Sequence, residues 1–434
     1  MRKIPGMLVC LVALVATSVA WARGLEPAKP EEVGLSSQRL ERIGQVFRQE
    51  IDQGKLPGAV ALIARKGRLA YHESFGFLDK ATGAPMPKDA VFRIYSMTKP
   101  LASVAAMMLM EEGRLQLADP VSKFLPEFAQ LQVSQAKVDP YGKVTHVLVS
   151  AERPMAVHDL LRHTAGLAYG EITGNAAVKE AYTKAGLFKP DLDYDTRDLT
   201  PAEQIERLGK APLVHQPGTA WEYSLAIDVL GRVVEKASGM RLGDYLEQRL
   251  FEPLGMADSG FWVPQQDMPR LAQPLPVDPA TGKPNKMIEV SRQPGNDSGG
   301  AGAVSTAADY MRFGQMMLNG GELDGARILS RTTVALMTAD HLGSQIRPVV
   351  APGELLMGAS GYTFGLGFMV REEPGMAPVP GSEGEYMWAG YGGTFFWVDP
   401  KEELVAVLMT QAPGPSRAYY RREFKQLVYQ AIVD

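Results

Sequence analysis

The stretch Phe92-Arg93-Ile94-Tyr95-Ser96-Met97-Thr98-Lys99-Pro100-Leu101 sets a serine three residues before a lysine, at the head of an apolar run. On a helix, positions i and i+3 share a face, so the Ser96 hydroxyl and the Lys99 amine fall within reach of each other. A serine hydroxyl is a weak nucleophile until a neighbouring base takes its proton. The run from Leu101 to Glu112 carries Val104, Met107, Met108 and Met110, enough apolar surface to bury this helix on most sides and remove Lys99 from bulk water. Burial disfavours an ammonium, so the run that hides Lys99 also prepares it to accept a proton. Ser96 stands at the helix N-terminus, where unpaired N–H groups favour negative charge developing on a substrate oxygen.

Serine three before lysine is the S-x-x-K arrangement of hydrolases that form acyl-enzymes. Such a short pattern also arises by chance. Ser134-Gln135-Ala136-Lys137 matches it too, yet Val138-Asp139-Pro140-Tyr141-Gly142 follows as a turn rather than a helix. Rival signatures are missing: no serine stands in G-x-S-x-G, and the six histidines include no H-E-x-x-H. Asn296-Asp297-Ser298-Gly299-Gly300 looks like the serine segment of trypsin-like proteases, but that fold is all-β and this chain is rich in helical periodicity. His163, at the end of a short helical stretch, invites a triad reading but better suits a histidine bonded to its neighbours at a helix end.

A chain of 434 residues, 45% hydrophobic and 22% charged, suits a globular protein of one large domain or two closely joined ones. A formal charge of −4 with no basic stripe argues against nucleic acid as a partner. Residues 1–22 read as a secretory signal, with Arg2 and Lys3, the apolar run Met7 to Ala16, and Ala20-Trp21-Ala22 before the cut. That run is well short of the roughly 20 residues a membrane span needs. The expectation is export to the periplasm or medium of a bacterium, without stable membrane insertion once the signal is removed. The one cysteine, Cys10, lies inside the signal, so the mature chain has no thiol for a disulfide, a nucleophile or a metal site.

Along the chain, Ser36-Ser37 predicts a helix through Leu40, Ile43, Phe47 and Ile51. Runs at 59–64 and 69–75 predict a hairpin about Arg65-Lys66-Gly67-Arg68, and 131–133 with 147–149 a smaller one. Residues 171–210, polar and rich in turn formers, read as an irregular excursion. Helices are predicted over 225–237, 242–250, 306–318 and 417–432, and strands over 386–389, 394–398 and 404–411.

Four stretches, 92–100, 157–167, 217–231 and 388–400, resemble in this order those of the serine β-lactamase and penicillin-binding superfamily, most closely its family VIII carboxylesterase branch. The likeness covers nearly all of the mature chain. It implies that Tyr223, in Tyr223-Ser224-Leu225, acts as general base or acid with Lys99 on the Ser96 proton. It also implies that Trp388-Ala389-Gly390 stands where the lactamases carry Lys-Thr-Gly, with the backbone N–H groups of Ser96 and Tyr391 forming an oxyanion hole. Trp388, Gly390 and Leu225 then become substrate-binding positions. Two departures matter: Leu225 replaces the asparagine of Tyr-x-Asn, and Trp388 replaces a lysine that would bind a substrate carboxylate. Both point to neutral esters and away from efficient β-lactam hydrolysis.

The expected fold is α/β of the α+β type, like that of β-lactamases and transpeptidases: an antiparallel sheet of about five strands flanked by helices, plus a mainly helical domain. Residues 23–85 and 300–434 supply the α/β domain and 86–299 the helical one, with Ser96, Lys99 and Tyr223 at the cleft between. The expected chemistry is hydrolysis of a small-molecule carboxylic ester through an acyl-enzyme on Ser96, with no metal and no organic cofactor. The alternatives are a class C-like β-lactamase, a D-amino-acid peptidase, or a catalytically silent sensor of the same fold. Oligomeric state is not readable from the sequence.

Overall fold

A computed structural model describes residues 25–188, 198–373 and 375–434; the signal read at residues 1–22 lies outside them. The frame is an eight-stranded antiparallel sheet in the order Tyr362–Phe364, Met369–Arg371, Tyr386–Ala389, Phe395–Asp399, Leu404–Thr410, Gly58–Arg65, Arg68–Asp79, Ala84–Pro85. Five of these strands are the ones the sequence predicts. The other three are two or three residues long, too short for a pleat to show as alternation.

Gly58–Arg65 pairs on both sides and is buried along its whole length, which is why its sequence is a near-continuous apolar run. It turns into its partner through Lys66 and Gly67, both left-handed at φ 54° and 74°, the two-residue turn whose twist matches the strands. Phe396 and Trp397 are successive residues and point to opposite faces. Phe396 meets Tyr310 of the Ala307–Leu318 helix at 4.8 Å between ring centres, and Trp397 meets Phe424 of the Arg417–Tyr429 helix at 5.5 Å. Helices therefore cover both faces. The Ser37–Asp52 helix, its start capped by Ser36, joins the second layer through Phe47 against Phe424 at 6.2 Å.

Between the two sets of strands the chain is mainly helical. The Thr98–Glu111 helix is buried almost throughout and packs on Ala226–Ser238. The stretch read as irregular, 171–210, instead contains the helices Ala176–Lys184 and Pro201–Lys210, while residues 189–197 lie outside the described ones. The second helix starts on a capping box: Thr200 Oγ1 accepts from the Glu203 N–H at 3.2 Å and Glu203 Oε2 accepts from the Thr200 N–H at 2.8 Å. Ser134, the competing S-x-x-K serine, is on a strand of the hairpin Gln132–Val138 and Val144–Ser150, its hydroxyl against His146 Nδ1 at 3.1 Å.

The last helix is tied to the sheet by buried charge. Glu385 accepts from Lys425, from Arg371 Nη1 at 3.2 Å and from the Tyr429 hydroxyl at 2.8 Å, and Tyr429 reaches Asp399 at 2.5 Å. Among the described residues, no helix is long and apolar enough to cross a membrane.

Candidate active site

Ser96 lies in the 3-10 turn Tyr95–Met97 that leads directly into the Thr98–Glu111 helix, so the i, i+3 spacing places Lys99 Nζ 3.2 Å from Ser96 Oγ. The turn is held open by strain. Tyr95 sits at φ 44°, a left-handed conformation that costs a bulky residue about 1–3 kcal/mol and persists only where the surroundings enforce it. Here the Ile288 N–H donates to the Tyr95 hydroxyl at 2.9 Å, and Thr98 Oγ1 donates to the Tyr95 carbonyl at 2.6 Å.

Tyr223 comes from the segment ahead of the Ala226–Ser238 helix and brings its hydroxyl to 2.6 Å from Ser96 Oγ. The three residues singled out for proton transfer thus meet. Lys99, only 1% exposed, lies 4.6 Å from the centre of the Tyr223 ring and makes two more bonds, to the Tyr169 hydroxyl at 2.9 Å and the Gly300 carbonyl at 2.8 Å. Its hydrogen-bond partners among the described residues are Ser96, Tyr169 and Gly300, none of them a carboxylate. Its three N–H directions are spent on neutral oxygens. Tyr169 and Gly300 were not anticipated; they lie far along the chain and belong to no pattern that includes Lys99.

A cleft of about 290 Å³ opens over Ser96, lined by Tyr95, Tyr169, Tyr223, Trp388, Gly390 and Tyr391 among others. Gly390 is needed for a close approach: a Cβ there would fall 2.3 Å from the Ile94 carbonyl oxygen, two residues before the nucleophile. The Gly390 carbonyl accepts from Arg421 Nη2 at 2.9 Å. In a trans peptide the N–H points opposite to the carbonyl, so Arg421 sets the direction of the Tyr391 N–H, the donor that the family resemblance implies for the oxyanion. Burial, then the nearby Arg417, lowers the Arg421 guanidinium to about 9, which leaves it charged at neutral pH.

Trp388 is the apolar wall expected, with its ring centre 5.3 Å from that of Tyr223, but it is 1% exposed and acts chiefly by backing the tyrosine. Leu225 is a correction. Expected at the substrate, it is fully buried at the N-cap of the Ala226–Ser238 helix and is not part of the cleft lining, because the turn that exposes Tyr223 carries the side chain two residues on into the core.

His163 is no member of a triad. Its Nδ1 meets Ser224 Oγ at 3.2 Å, its ring packs 5.0 Å from Tyr223, and burial, then the charge of Lys99, holds it well below the ordinary imidazole range. It stays neutral and supports the tyrosine.

A serine hydroxyl flanked by a buried amine and a phenol, at a helix start under an open cleft, defines the class of serine acyl-transferring hydrolases. The β-lactamase family profile matches residues 43–430, and the chain belongs to that family of serine hydrolases. It is 31% identical to esterase EstB of Burkholderia gladioli over 85% of this chain and 89% of that one. The lovastatin esterase of Penicillium rubens is 29% identical over 88% and 95%. The solved structure of EstCE1, a hydrolase with promiscuous acyltransferase activity, superposes with a TM-score of 0.73 at 29% identity, covering 90% of this chain and 99% of that one.

Proposed function

We propose that this protein is a serine carboxylesterase that cleaves small-molecule esters through an acyl-enzyme on Ser96, and that it works in the periplasm or medium after loss of residues 1–22. The observation that carries the reading is the pair of contacts at one oxygen, Lys99 Nζ at 3.2 Å and Tyr223 hydroxyl at 2.6 Å from Ser96 Oγ. The Tyr223–Ser96 bond holds one proton between two oxygens. Once Tyr223 has released its own proton to solvent and become a phenolate, with Lys99 Nζ 4.6 Å from its ring centre, the bond runs the other way and the serine proton passes to it. Ser96 Oγ then attacks the ester carbon, and the backbone N–H groups of Ser96 and Tyr391 take the charge of the tetrahedral oxygen. Tyr223 returns the proton to the leaving alkoxide. A water molecule, giving its proton to Tyr223, releases the acid and restores the serine.

The apolar, aromatic lining supports neutral esters, as do the EstB and lovastatin esterase relatives. A second reading, hydrolysis of β-lactams or D-amino-acid peptides, is favoured by Arg417 and Arg421 on the cleft wall, cations that a substrate carboxylate would meet. Steady-state rates on short p-nitrophenyl esters and on a cephalosporin separate the two, and the ester is expected to have the higher kcat/KM. Intact-mass detection of a fluorophosphonate adduct, lost in Ser96→Ala, identifies the nucleophile. An adduct that survives in that variant removes Ser96 from the mechanism.

A further inference from the structure

The segment Asn296-Asp297-Ser298-Gly299-Gly300, set aside above as a protease-like serine motif, lies directly behind Lys99. Its Asp297 is clamped from outside: Arg241 reaches both carboxylate oxygens at 2.6 Å, and the Gly243 N–H donates to Oδ2 at 2.9 Å. The following residues build a hydrogen-bond chain. Asp228, buried on the Ala226–Ser238 helix that follows Tyr223, accepts from the Ser298 hydroxyl at 2.5 Å and from the Gly300 N–H at 3.3 Å, both at Oδ1. Ser298 Oγ in turn accepts from the Ala301 N–H at 2.9 Å. That N–H belongs to the same peptide unit as the Gly300 carbonyl, which accepts from Lys99 Nζ at 2.8 Å.

We infer that Ser298 and Asp228 are positioning residues for Lys99: they hold the Gly300–Ala301 peptide so that its carbonyl fixes the lysine Nζ beside Ser96 Oγ. The peptide is gripped at both ends, by Ser298 on its N–H and by Lys99 on its C=O, and bonds arranged in such a chain polarise and strengthen one another. Two glycines make the approach possible. A Cβ at Gly300 would lie 2.2 Å from Asp228 Oδ2, and one at Gly299 2.7 Å from the Ile227 carbonyl oxygen. Without the Ser298 hydroxyl the Ala301 N–H keeps only its 3.4 Å bond to the Ser298 carbonyl, and the one backbone partner of Lys99 is held less tightly. Ser298 is 3% exposed and is not part of the cleft lining, so it acts on the reaction through this peptide and through Asp228, whose carboxyl interacts with Lys99.

The inference rests on Ser96 and Lys99 acting as proposed, and the test keeps the two apart. The measurement is the rate at which a fluorophosphonate labels Ser96, together with single-turnover acylation by p-nitrophenyl butyrate, on the full mature chain. Ser298→Ala is expected to slow both about tenfold, the loss of one bond in a charged network. Threonine and valine have nearly the same shape and differ in the hydroxyl, so Ser298→Thr is expected to react about tenfold faster than Ser298→Val. That comparison holds even if Ser298→Ala folds poorly, since both larger variants bear the same added methyl group. Asp228→Asn, which keeps the volume, is expected to slow labelling by a similar factor. Equal rates for the threonine and valine variants, with Ser298→Ala within about twofold of wild type, would overturn the inference. Absence of labelling in the wild-type protein would instead overturn the esterase reading on which it depends.

Discussion

Two lysines of this protein are buried to the same degree, Lys99 at 1% exposed and Lys425 at 0%, and they are kept in opposite ways. Lys425 is answered by charge: the Glu385 carboxylate takes its ammonium, Arg371 and Tyr429 complete that carboxylate's bonds, and the rings of Trp397 and Tyr429 flank it at 5.0 and 4.3 Å. Lys99 is answered by a serine hydroxyl, a tyrosine hydroxyl and a backbone carbonyl. Burial outweighs even that counter-charge and lowers the Lys425 ammonium to about 8, while Lys99 is held by neutral oxygens alone. Burial alone therefore does not mark a reactive lysine. What surrounds the nitrogen does.

Exchanging each lysine for methionine tests that contrast most severely. Lys99→Met should lower kcat/KM for a short p-nitrophenyl ester by on the order of 10³–10⁴-fold with no loss of Tm, since only the proton-transfer group and a buried cation are removed. Activity retained within tenfold would show that Lys99 is structural. Lys425→Met should do the reverse. It leaves Glu385 short of a partner in a dry site and should cost about 3 kcal/mol or more in denaturant unfolding, while Ser96 labelling per folded molecule stays at the wild-type rate.

Smaller changes sharpen the comparison. Tyr169→Phe removes one of the three neutral oxygens around Lys99 and should reduce kcat/KM about tenfold with little change in stability. An equal loss of stability and rate would assign Tyr169 to packing. The smallest expected effect concerns a half-buried histidine. His158 Nε2 and His341 Nδ1 lie 2.9 Å apart, and His341 Nε2 bonds the Leu336 carbonyl at 2.7 Å, so His341 donates from Nε2, accepts at Nδ1 and is neutral, while His158 donates from Nε2. Burial, then Arg162 and His341, pushes His158 down to about 4 from 6.5, with Asp159 opposing and Arg153 assisting. The folded state thus keeps neutral a ring that the unfolded chain protonates. Its contribution is present above about 6.5 and is lost as pH falls towards 4, on the order of 1 kcal/mol after allowance for its partial exposure. Thermal melts across that window should drop less for His158→Gln than for wild type, and parallel curves would exclude the pair as an acid-sensitive contact.

The amino-acid sequence by itself determined what depends on neighbours in the chain. The S-x-x-K spacing put Ser96 and Lys99 on one helix face, and the apolar runs marked the five longer strands. Tyr223 was reachable through family resemblance, not from local pattern. The helices within 171–210 were hidden because their outward faces are polar, so composition resembled a loop. Only the tertiary structure decided how Lys99 is held: its partners Tyr169 and Gly300 stand 70 and 201 residues away, and Tyr223 reaches Ser96 across 127. The reason is geometric. A helix or strand repeats over a few residues and leaves its period in the sequence, whereas a hydrogen bond between distant segments needs only one atom in the right place, and one atom leaves no period to read.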